Sequence, residues 1–183
     1  MTAREFDPSR LDVEAFAREA AELDGRWPLR HFDRVTGSAH PDSPAADGDE
    51  VTWSARGERR RSRAGESQPW LHLEAEVQLS LECQRCLGPM TVTLRVQRSL
   101  LFVPGEDAAT LVDAESEHDV LALTRALDLR ELVEDELVLA LPLVPRHEVC
   151  PVPLPLVDGP DMEHDEPNPF AALAALKRDG SLN

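Results

Sequence analysis

Between Leu71 and Leu81 every second residue is apolar and every intervening one polar: Leu71, Leu73, Ala75, Val77, Leu79 and Leu81 alternate with His72, Glu74, Glu76, Gln78 and Ser80. A period of two belongs to a β-strand, whose successive side chains point to opposite faces, so this stretch needs an apolar layer on one side only. Slipping the register by one residue would turn the whole apolar set to water, so the buried face is fixed. Two neighbouring stretches repeat the pattern. Val51, Trp53 and Ala55 alternate with Thr52, Ser54 and Arg56, and Val92, Leu94 and Val96 alternate with Thr91, Thr93, Arg95 and Gln97 within Met90–Val103. Their connections are short and one face is regularly polar, which predicts an antiparallel meander over residues 50–103. Val120 to Leu123 is a short additional strand candidate.

The flanking segments change to helical spacing. Val13, Phe16, Ala17, Ala20 and Leu23 predict an amphipathic helix over 11–23, with Gly25 placed to stop it. Asp128 is positioned to cap a second helix running to about Leu141, in which Leu129, Leu132, Val133, Glu136, Leu137 and Ala140 form one stripe before Pro142 ends it. Glu131, Glu134 and Asp135 lie off that stripe and read as a solvated acidic face. Asn168 as N-cap and Pro169 at the first helical position predict a short C-terminal helix over 169–178. The expected fold class is α+β: an antiparallel meander flanked by an N-terminal helix, the helix near 128–141 and the short C-terminal helix. The expected organisation is a helical segment at 1–26, a core domain at 27–150 with a flexible, Ser-, Pro- and Asp-rich loop at 37–49, and a Pro-rich acidic tail at 151–183.

Charge narrows the function classes. The chain carries 35 acidic against 19 basic side chains, a formal net charge of −16. Nonspecific nucleic-acid binding gains its free energy by neutralising phosphates, so a globally acidic chain is a poor general binder of DNA or RNA. The basic exception is local: Arg56, Arg59, Arg60, Arg61 and Arg63 fall within eight residues, interrupted by the acid Glu58. That run is a candidate phosphate contact, or a solvated hairpin tip. The first ten residues lack the apolar stretch of a secretory signal, and the longest apolar run, Leu137 to Val144, is too short for a membrane span. Three cysteines, an odd number, suit a reducing compartment better than a disulfide framework. A cytoplasmic protein is expected.

The chemistry-bearing constellation is Cys83-Gln84-Arg85-Cys86, in the turn between two strands, with His147-Glu148-Val149-Cys150 far downstream. Two x-x pairs supplying three sulfurs and one imidazole are what a tetrahedral structural zinc site uses, so Cys83, Cys86, His147 and Cys150 are candidate ligands and zinc the candidate cofactor. Two other readings stand beside it: ordinary reduced thiols at a hairpin, or a thiol redox centre at Cys83 and Cys86. A redox Cys-x-x-Cys usually opens a helix, whereas Leu87-Gly88-Pro89 forces a turn here. No phosphate-cradling glycine loop, nucleophile elbow or His-Glu-x-x-His helix occurs, and His31, His40, His72, His118 and His164 are scattered. A non-enzymatic protein is expected.

Three stretches then carry a resemblance. They are Glu82 to Cys86 after an alternating strand; Leu132 to Pro145 with His147 and Cys150 behind it; and Pro167-Asn168-Pro169-Phe170 opening a helix that ends at Leu176-Lys177. In this order they resemble the YceD family. The resemblance implies a bacterial cytosolic factor, without assigned catalysis, that supports synthesis, processing or stability of 23S ribosomal RNA. It implies Cys83, Cys86, His147 and Cys150 as the ligand set and the helix around Glu134, Asp135 and Glu136 as a signature surface. Two modes of action follow: an adaptor whose acidic helix, through Glu131, Glu134 and Asp135, engages a basic ribosomal protein or assembly factor on the precursor particle; or direct 23S rRNA contact by Arg56, Arg59, Arg60, Arg61 and Arg63.

Overall fold

The computed structural model describes residues 5–62 and 65–151. Its elements run α1 (Val13–Arg18), β1 (Glu22–Pro28), α2 (Asp33–Thr36), β2 (Glu50–Arg61), β3 (Ser67–Glu82), β4 (Pro89–Val103), α3 (Glu106–Asp113), β5 (Val120–Ala122) and α4 (Leu129–Leu139). The five strands form one sheet in chain order, antiparallel from β1 to β4, with β5 parallel to β4. The α+β class and the 50–103 meander stand as the alternation predicts. The predicted C-terminal helix lies outside the described residues.

The apolar face of the sheet, led by Leu71, Leu73, Leu94 and Leu100, packs under Val13 and Phe16 of α1 and Leu129, Val133 and Leu137 of α4, all almost fully buried. A smaller cluster occupies one end of the other face, where α3 lays Ala109 over Trp70, Leu101 and Val103. The rest of that face is polar and open. Among the described residues no helix is long and apolar enough to cross a membrane.

The predicted N-terminal helix is corrected. Asp12 caps α1 by accepting from the Ala15 N–H at 3.0 Å, but the helix lasts six residues. Ala20 adopts φ 45°, and the chain turns into β1, an edge strand with Leu23 opposite Ala55 and Trp27 opposite Val51. Pairing with an existing strand outweighed local helical spacing, as tertiary context often does. Gly25 is not a helix stop: a Cβ there would lie 3.2 Å from the Trp53 indole, which stacks on Trp27 with centroids 4.2 Å apart. Gly57 has a comparable role where α1 crosses β2, since a Cβ would come within 2.6 Å of the Phe16 carbonyl oxygen.

The helix expected from 128 to 141 is α4, two residues shorter at its end. Asp128 caps it as expected, accepting from the N–H groups of Arg130 and Glu131. A two-way backbone bridge between Leu11 and Leu127 ties the N-terminal segment to the start of this helix.

Candidate metal centre

Strand β3 ends at Glu82 and the chain reverses through Cys83 to Gly88 before β4 begins. The reversal is closed twice: the Cys83 N–H donates to the Gly88 carbonyl at 3.0 Å, and the Leu87 N–H to the Cys83 carbonyl at 2.8 Å. Leu87 sits at φ 58°, a left-handed conformation that a branched side chain adopts only where its surroundings hold it there. No helix follows Cys86, so the setting of a redox Cys-x-x-Cys is not the one built here.

The downstream loop is docked on this knuckle by backbone contacts. The Gln84 N–H donates to the Pro145 carbonyl at 2.8 Å, and the Arg85 guanidinium to the His147 carbonyl at 3.3 Å. These contacts bring the two halves of the constellation together. The Cys86 sulfur lies 3.4 Å from His147 Nδ1, and the ligand atoms of Cys83, Cys86, His147 and Cys150 all lie within 4.8 Å of one another. Cys83 is buried, the other three half-buried, and all three cysteines are free thiols. In a tetrahedral zinc site, Zn–S bonds of about 2.3 Å and Zn–N bonds of about 2.0 Å set sulfurs about 3.8 Å apart and sulfur about 3.5 Å from nitrogen. The Cys86–His147 separation of 3.4 Å matches the second of these, and the three sulfurs and one imidazole gathered within 4.8 Å are the donor set the ion takes.

Its electrostatics point the same way. Burial opposes ionisation of Cys83, yet the N–H groups of His147, Cys86 and Arg85 aim at its sulfur and hold the thiol at about 5. Burial, and after it the sulfurs of Cys86 and Cys83, push Cys150 up to about 11. Thiolates crowded this closely cannot all ionise by themselves. A dication held by these four residues would remove that repulsion and favour the deprotonated thiols.

The other sequence-predicted residues are less concentrated. Arg56 is exposed on the open polar face, in register with His72. Arg59, Arg60 and Arg61 are exposed at the end of β2 but alternate between its faces; Arg60 pairs with Glu58 at 3.0 Å and covers the Trp70 ring at 4.8 Å. Arg63 lies outside the described residues. On α4, Glu131 is exposed, while Glu134 and Asp135 both bind the Arg34 guanidinium.

Three features were not predicted. Glu136, nearly buried, accepts from Arg98 Nε at 2.8 Å. His72 links Glu58, 2.6 Å from its Nε2, to the Ser99 hydroxyl, 2.9 Å from its Nδ1. His40, in the 37–49 loop, is buried and its Nε2 lies 3.0 Å from the Leu87 carbonyl oxygen. Arg98 had a signal, a charge at an inward-facing position of the β4 alternation. A lone histidine in a polar loop had none.

Residues 71–177 match the family described as "Large ribosomal RNA subunit accumulation protein YceD", a span that contains all four candidate ligands. A Haemophilus influenzae protein of that name is 39% identical over 110 residues, covering 57% of this chain and 63% of that protein. The chain therefore spans only part of that relative's length. No solved structure matches. The matched span, which holds most of β3, all of β4 and the knuckle between them, makes this chain a member of the YceD family.

Proposed function

We propose that the protein supports accumulation of large-subunit ribosomal RNA in the cytoplasm without a catalytic step of its own, as an acidic adaptor whose knuckle is locked by structural zinc. The observation that carries the first part is the family match over residues 71–177, since the relative's name states that role. The zinc part is supported by the four converging ligand atoms. Cys83 and Cys86 come from the β3–β4 turn and His147 and Cys150 from the loop after α4, so one ion would staple that loop to the sheet. When bound, zinc supplies cross-linking and charge neutralisation. Gln84 and Arg85 orient the loop, and the N–H donors around Cys83 stabilise the thiolate.

The adaptor reading follows from charge. With a net −16, the chain attracts a basic ribosomal protein or assembly factor and repels bare phosphate backbone. Arg60 is already engaged by Glu58 and Trp70, and the exposed Arg59 beside it donates to the Ser67 carbonyl at 3.2 Å. Arg34 occupies Glu134 and Asp135, so a basic partner would meet Glu131 and the exposed side of Asp135 first, and would compete with Arg34 for the rest.

The test is depletion of the protein with measurement of 23S against 16S rRNA, joined to affinity purification with and without ribonuclease. Selective loss of 23S and retention of a basic protein after ribonuclease are expected. An unchanged rRNA ratio would end the accumulation reading. Loss of all ribosomal material on ribonuclease treatment would replace the adaptor by direct RNA contact through the arginine run.

A further inference from the structure

His40 is 4% exposed and fully committed. Its own N–H donates to the Ser80 carbonyl at 2.7 Å, on β3 three residues before the first candidate ligand. Its Nδ1 accepts from the Asp42 N–H at 3.1 Å. A backbone N–H can only donate, so Nδ1 is an acceptor and the ring proton resides on Nε2. That proton therefore points at the Leu87 carbonyl oxygen, 3.0 Å away.

The acceptor matters because of where Leu87 stands. It follows Cys86 directly, adopts φ 58°, and is 64% exposed, so packing of its side chain does little to hold its backbone. The Leu87 N–H bond to the Cys83 carbonyl holds the peptide before it, and the imidazole holds the peptide after it. Loss of the imidazole would free one side of the left-handed residue and loosen the turn that aims the Cys86 sulfur at His147.

We propose that His40 is a positioning residue of the metal centre: through Nε2–H donation to the Leu87 carbonyl it holds the Cys83–Gly88 knuckle in the ligand-converging shape, and metal loading in turn orders the loop that carries it. This rests on the zinc reading above. Groups just outside the ligand shell typically alter metal affinity about 10- to 100-fold. Coupling free energies are reciprocal, so a loop residue that raises metal affinity must itself be secured by the metal.

The experiment uses the full chain and zinc alone. Zinc affinity is measured by chelator competition, and cobalt substitution reports ligand geometry through its visible absorption, for wild type and His40→Ala, His40→Asn and His40→Gln. Gln places an N–H near the Nε2 position, whereas Asn reproduces only the Nδ1 side. Val13→Ala, a truncation of a fully buried core residue in α1, controls for lost stability.

A 10-fold or greater loss for Ala and Asn, restoration to within about threefold by Gln, and no change for Val13→Ala are expected. Unchanged affinity in His40→Ala, or a parallel loss in Val13→Ala, would overturn the role. Should His40→Ala not fold, amide exchange on the wild type decides the matter. The His40 and Asp42 amides should slow at least 10-fold on zinc loading, and equal exchange with and without zinc refutes the coupling. Failure of the wild type to bind zinc is a separate result, and it removes the centre itself.

Discussion

The Cys86 sulfur stands 3.4 Å from Nδ1 of His147, a residue 61 positions further along the chain. Nothing in local structure requires this approach. The loop after α4 is brought back by Gln84 and Arg85, and the two residues then share one ligand cluster with Cys83 and Cys150. A metal ion bound at that cluster would close a long loop, and its binding free energy would become folding free energy.

Ligand substitutions should therefore act through the metal. Chelation of the wild type is expected to lower the melting temperature, while Cys83→Ser and His147→Ala should start lower and no longer respond to chelator. A chelator response that persists in Cys83→Ser would place the ion elsewhere.

Packing of α1 on β2 depends on Gly57. A Cβ there would meet the Phe16 carbonyl oxygen at 2.6 Å and the Ala17 nitrogen at 2.8 Å, both backbone atoms that cannot turn aside. Gly57→Ala should cost about 1–3 kcal/mol in denaturant unfolding, the usual range for overpacking. Gly48→Ala, with nothing within 4 Å, should change stability little.

Arg98 and Glu136 occupy an apolar layer. Glu136 is 7% exposed, while the Arg98 side chain is 45% exposed, so the pair is only half withdrawn from water. Arg98→Leu alone should cost about 1–2 kcal/mol by leaving the carboxylate unpaired, below the range for fully buried pairs. Arg98→Leu with Glu136→Leu should recover wild-type stability. It should also aggregate faster, because β4 is paired by β5 only at residues 101–103 and would lose the inward charge that guards its open edge.

Acid stability should contain a signature of Glu58. Arg60, and after it His72, hold its carboxyl down at about 2, against an ordinary 4.5. The sign follows: a depressed folded-state value contributes stability that is present above about pH 4.5 and is lost as pH falls toward 2. Glu58→Gln should flatten the stability profile over that window.

The β2–β4 meander was legible because Leu71 to Leu81 alternate without a fault, and the cap at Asp128 because a carboxylate precedes a clean apolar stripe. The Cys83, Cys86, His147 and Cys150 cluster was legible as two spaced pairs, because a metal-ligand reading restricts both residue type and spacing. Other parts depend on contacts that no local pattern encodes. Glu22–Pro28 is a strand because β2 offers it an edge, although its residues continue a helical spacing from Val13. Helix α3 follows from covering Trp70 and Leu101, which the alternation places on the polar face, whereas β5 falls within the Val120 to Leu123 stretch expected as a short strand. His40 joins the centre only through the path of its loop. The Arg56–Arg61 run was visible as charge, but its division between two strand faces and the engagement of Arg60 by Trp70 emerge from the hairpin register.

Metal content of the full chain tests the central claim most directly. Protein purified under reducing, chelator-free conditions should contain one zinc per chain, with X-ray absorption reporting three sulfur neighbours and one nitrogen neighbour. A chain free of zinc, whose melting temperature is unmoved by added zinc, would contradict the account.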